Sequence, residues 1–148
     1  MEKDILAKSM MDAFDSINKQ GIFEKMKITF KGENLMLALL MEMGGKATPG
    51  ELIQYTECTA ARLTAIAKSL ESKGFVKRIQ NSEDKRSTII EMTSEGISKF
   101  MLLQKEAIES IFNLIEKLGE NDAQEFVRLV QRLSEISSEK SGLGEVTV

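Results

Sequence analysis

Apolar residues recur along this chain at helical spacing, and glycines interrupt the pattern. Ile5, Leu6, Met10, Ala13, Phe14 and Ile17 share one stripe, which predicts a helix over 3–19 that Gly21 closes. The connection 22–31 carries Phe23, Met26, Ile28 and Phe30, too many apolar residues for a free linker, so it is expected to pack. A second helix is predicted over 33–43. It is apolar on nearly every side, as a helix at the centre of its domain is, and Gly44-Gly45 stops it. Thr48-Pro49-Gly50-Glu51 has the form of a capping box with proline at the first helical position, and predicts a short helix over 49–55 with Leu52, Ile53 and Tyr55 apolar. After a turn at Thr56-Glu57-Cys58, Thr59 caps a helix over 60–73 whose buried stripe is Leu63, Ile66, Ala67 and Leu70.

Beyond Gly74 the period changes to two. Residues 75–79 and 88–92 read as strands around a polar tip at 81–85. A long helix follows from Thr93-Ser94-Glu95 to about 118, striped by Phe100, Leu103, Ala107, Ile111, Leu114, Ile115 and Leu118. Gly119 breaks it, and a last helix over 121–137 carries Phe126, Leu129, Val130, Leu133 and Ile136 on one face. The tail 138–148 is expected to fray. The expected fold is mainly α with a small β-hairpin wing: a winged helix-turn-helix over 32–93, flanked by helices at 1–31 and 94–148. Those flanking helices have more apolar surface than the winged core can cover. A two-fold dimer in which they interleave is the economical solution, and it sets two reading helices about one turn of a DNA palindrome apart.

Composition narrows the chemistry. The 148 residues suit one compact subunit, and 42% hydrophobic with 29% charged is ordinary for a soluble protein. There is no histidine, which removes His-based acid–base catalysis, Ser-His-Asp and Cys-His systems, and His-ligated metal sites. No phosphate-binding glycine loop or calcium loop appears, so neither an enzyme nor a cofactor is expected. One cysteine excludes an internal disulfide. No apolar run approaches a membrane span, and the first residues lack the form of a signal peptide, so a cytoplasmic protein is expected.

The net charge is −3, but it is unevenly spread. Residues 59–87 carry seven cations and three anions, +4, leaving −7 elsewhere. A local cationic face on an acidic body can still hold double-stranded DNA, because phosphate contacts are local. The exposed side of the 60–73 helix is expected to enter the major groove. Ala61, Arg62, Thr64, Ala65, Lys68, Ser69 and Ser72 lie on it, with Thr59 and Ala60 at its start, Arg62 and Thr64 as readers of bases and Lys68 for phosphate. Lys77, Asp84, Lys85 and Arg86 belong to the wing.

Two blocks carry a family resemblance. Residues 48–76, closing on Leu70-Glu71-Ser72-Lys73-Gly74-Phe75-Val76, are similar to the helix-turn-helix of the MarR family of bacterial transcriptional regulators. Asp84-x-Arg86 followed by Met92-Thr93-Ser94-Glu95-Gly96 resembles that family's wing signature, with Met92 in place of leucine. The resemblance implies an obligate dimer that regulates genes, Arg86 in the minor groove with Asp84 orienting it, and a small aromatic or lipophilic effector between the dimer helices and the winged domain. The lack of histidine sets the chain apart from the zinc-sensing branch, and Cys58 is not where the peroxide-sensing branch keeps its cysteine. Ala60, Ala61 and Ala65 stand where relatives often carry larger polar side chains.

Plainer readings stand beside these. Arg86 and Asp84 could form a salt bridge that only stiffens a hairpin, Arg62 and Thr64 could be solvated surface, and Cys58 could be an apolar turn residue. The methionines read as core filler, or with Phe14, Phe23 or Phe30 as a pocket lining. The competing function is a winged-helix module that contacts protein instead of DNA.

Overall fold

The computed structural model describes residues 2–84 and 86–138. Seven helices and three strands follow in the order α1 (Lys3–Gln20), α2 (Ile22–Lys25), α3 (Gly32–Glu42), β1 (Lys46–Ala47), α4 (Pro49–Ile53), α5 (Ala60–Ser72), β2 (Val76–Gln80), β3 (Thr88–Met92), α6 (Ser94–Leu118) and α7 (Glu120–Ser138). Close contacts divide the chain into two compact units, residues up to Ile108 and residues from Glu109 on, so α6 begins in one and ends in the other. The expected tail lies outside the described residues beyond Ser138.

Local chemistry sets the boundaries in the first unit. The Thr48 hydroxyl accepts from the Glu51 amide at 3.2 Å while the Glu51 carboxylate accepts from the Thr48 amide at 2.8 Å, which completes the capping box of α4. That helix is shorter than expected. It closes at Ile53, and Tyr55 is 63% exposed instead of packed. At the end of α5, Gly74 adopts φ +78°, which L residues with a side chain rarely tolerate. The Gly74 amide then donates to Glu71 and the Phe75 amide to Leu70, the paired bonds of a Schellman stop.

The sheet is antiparallel in the order β1-β3-β2. The hairpin β2–β3 pairs Val76 with Met92 through to Gln80 with Thr88. The sequence pattern predicts two strands; the third, β1, is a correction. It is two residues long, too short to show any alternation, and is held by pairing to Glu91 and Ile90. Leu37 and Leu40 of α3, Leu52 of α4, Leu63 and Leu70 of α5 and Ile90 of β3 are almost fully enclosed. Burying each contributes roughly 1.5–3 kcal/mol. Together they fix α5 and the hairpin against one central helix, α3.

Candidate nucleic-acid interface

The end of α5 and the start of α6 meet over the base of the wing. The Thr93 hydroxyl donates to the Gly74 carbonyl at 2.5 Å and accepts from the Gly96 amide at 3.1 Å, and the Thr93 amide donates to Phe75. From the other side, Glu33 of α3 takes hydrogen bonds from Ser69 and, at 2.7 Å, from Lys73. The Lys73 bond, then the Ser69 bond, lower the Glu33 carboxyl below its ordinary pKa. The helix is thus tied at its C-terminal end by both neighbours. At its other end the Thr59 hydroxyl accepts from the Arg62 amide at 3.2 Å.

These ties leave one side of α5 open. Thr59, Ala60, Ala61, Arg62, Thr64, Ala65 and Lys68 are all exposed, while Leu63, Ala67 and Leu70 are buried and Ile66 is half-buried. The Thr64 hydroxyl donates to the Ala60 carbonyl at 2.9 Å, so its oxygen keeps its remaining accepting capacity.

The wing tip is closed by its own side chains. The Asn81 carboxamide oxygen accepts from the Glu83 amide, and the Asn81 amide donates to Ser87. Asp84 accepts from the Arg86 backbone amide at 3.0 Å and, through its carbonyl, from Ser87. Its carboxylate therefore acts on the backbone of Arg86, setting the direction from which the exposed side chain departs. Lys85 is outside the described residues. Lys77 is exposed on β2, with its ammonium 3.4 Å from Glu91. Arg78, counted in the sequence only as one cation of the segment, sits half-buried against α5 with Nε 3.4 Å from Glu71. Its position depends on a tertiary contact that no local pattern announces.

Two of the larger concavities lie in the same unit. One, of about 430 Å³, is formed by α1 and α2 and includes Phe14, Ile17, Ile22, Phe23 and Lys31. Phe30 is used elsewhere, edge-on against Phe100 with centroids 6.3 Å apart. The other, of about 370 Å³, lies under the first turns of α5 and includes Cys58 and Arg62. The Cys58 thiol is half-buried and donates to the Thr56 hydroxyl at 3.2 Å. Among the described residues no cluster could hold a metal ion, and no helix is long and apolar enough to cross a membrane.

Residues 34–87, which run from within α3 through α4 and α5 to the wing tip, match the model of the MarR family. Over that stretch, about a third of its length, the chain is similar to that family. MarR proteins are transcriptional regulators and not enzymes, in keeping with the chemistry expected from the sequence. The HTH-type transcriptional repressor YetL of Bacillus subtilis is 28% identical over 106 residues, covering 71% of this chain and 64% of YetL. Matched regulators from Escherichia coli are covered over 51% of their length, so the chain spans between half and two thirds of these relatives. Among solved structures, YusO from Bacillus subtilis superposes with a TM-score of 0.74 at 20% identity, over 91% of this chain and 99% of that one. A mutant of Escherichia coli MarR complexed with operator DNA superposes with a TM-score of 0.57 at 17% identity, over 88% and 95%. The MarR winged-helix architecture accounts for the mainly helical chain with its small antiparallel sheet.

Proposed function

We propose that this chain is a MarR-type, sequence-specific DNA-binding transcriptional regulator, a repressor that works as a homodimer on a palindromic operator. Residues 32–93 form the DNA-binding part, and residues 1–31 and 94–148 supply the dimer helices. The observation that carries the reading is how charge is distributed. Three acids around the reading helix and wing are engaged internally: Glu33 with Lys73, Glu71 with Arg78, Glu91 with Lys77. Arg62, Lys68 and Arg86, on the open face and the wing tip, make no ion pair among the described residues. That leaves cations presented outward where a polyanion would approach, with Arg62 and Thr64 toward bases, Lys68 toward phosphate and Arg86 toward a narrow minor groove. That a mutant Escherichia coli MarR of similar fold forms a complex with operator DNA supports DNA as the partner. The groove formed by α1 and α2, with Phe14 and Phe23 in its walls and the Lys31–Glu24 ion pair at its rim, suits a small aromatic or lipophilic effector.

Fluorescence anisotropy against the DNA upstream of the protein's own gene, with excess unrelated DNA, tests this. Arg86→Ala should weaken specific binding at least about tenfold while leaving the oligomeric state unchanged. Equal binding by wild type and Arg86→Ala would remove the wing from the mechanism. Absence of saturable binding at any salt concentration would favour the protein-interaction reading.

A further inference from the structure

Between α5 and the wing lies a small cavity of about 90 Å³. Leu63, Ala67 and Ile90 form its apolar wall, and Thr64, Thr88 and Arg78 supply its polar groups. Arg78 is unusual within the unit. Its side chain is only 30% exposed, and Nε and Nη2 are buried without a hydrogen-bond partner among the described residues. The Glu71 carboxylate, 3.4 Å from Nε, is near enough to attract the charge but is not aligned to accept a hydrogen bond. Leaving donors of a guanidinium buried and unsatisfied is unfavourable, and an apolar side chain of similar length would avoid the cost. The donors of the arginine are thus not committed within the described residues, and it lies between the two elements that the proposed function sets against DNA.

We propose that this cleft seats one phosphate of the DNA backbone. The inference rests on the DNA-binding reading and deepens it. The exposed part of the Arg78 guanidinium meets the anion, and the negative charge offsets the buried edge through the poorly screened interior. Thr88 opens the second wing strand and supplies a hydroxyl donor. The Thr64 proton is committed to the Ala60 carbonyl, so Thr64 shapes the wall. A phosphate held there fixes the register of reading helix and wing on the duplex together, and carries no sequence information of its own.

The experiment uses the full chain as wild type, Arg78→Met and Arg86→Ala, titrated on one duplex and on unrelated DNA between about 50 and 200 mM salt. Arg78→Met should bind both DNAs about tenfold more weakly, with the log–log salt slope reduced by about 0.9, the value for one lost phosphate contact. Its melting temperature should be no lower than wild type, because methionine packs where the guanidinium was unsatisfied. Unchanged affinity and slope in Arg78→Met, with wild type binding, would overturn the phosphate seat and leave the DNA reading standing. A second arm follows melting temperature against inorganic phosphate at low salt. Stabilisation of wild type that is absent in Arg78→Met supports the seat even if Arg78→Met folds poorly on DNA or no duplex binds; equal responses of the two proteins overturn it.

Discussion

Gly96 illustrates how single residues hold this interface in place. It is buried in the first turn of α6, and a Cβ built there would lie 2.0 Å from the Phe75 carbonyl oxygen. The obstacle is backbone, which cannot swing aside as a side chain can. Gly96→Ala should destabilise the protein by at least about 1–3 kcal/mol in urea unfolding, by forcing α6 away from the Gly74–Phe75 turn. A loss below about 0.5 kcal/mol would mean the turn yields freely. The sequence makes Gly96 conspicuous only as the last residue of a wing signature. Its physical reason is the approach of two segments twenty residues apart, which no local pattern encodes. Asp84 is a similar case. The Asp-x-Arg spacing is visible in the chain, but that the carboxylate engages the Arg86 amide is a matter of tip geometry.

At the scale of elements, Glu33 ties α3 to α5 through Lys73 and Ser69. Its carboxyl is held below the ordinary range, so the folded state binds this proton less readily than the unfolded state. The tie therefore contributes stability that is fully present above the unfolded carboxylate pKa, about 4.3, and is lost as pH falls through the lower folded value. Glu33→Gln should melt below wild type at pH 7, with the gap closing as both are acidified under pH 4. A gap constant with pH would assign the effect to packing instead. Element boundaries were the most legible part of the chain. Gly21, Gly44-Gly45, Gly74 and Gly119 stop helices, and Thr48 and Thr59 start them, by chemistry confined to a few neighbours. What the pattern missed was β1, whose two residues form a strand only because β3 passes beside them. The reach of α4 was also overdrawn, since Tyr55 has apolar character but nothing to pack against.

For the molecule as a whole, the apolar stripes that predict the outer helices remain uncovered in a single chain. Neither α1 nor α7 has a buried residue. Phe14 on α1, Phe112 on α6 and Phe126, Val130 and Leu133 on α7 are each 47–61% exposed. Surface of that kind marks an association site. Val130→Glu with Leu133→Glu should turn the proposed dimer into a monomer by light scattering, and should weaken binding to the proposed operator because two half-sites are no longer engaged together. A double variant that stays dimeric would place the association elsewhere. The open face of α5 has a different consequence. Ala60, Ala61 and Ala65 pack against nothing that must be preserved, so larger side chains can be accommodated there for a stability change of about 0.5 kcal/mol or less. Each such change adds a group that can meet a base edge without removing one already in use. On the proposed reading, such a regulator can acquire new target genes by single substitutions, its affinity resting on backbone contacts while its sequence preference is rewritten.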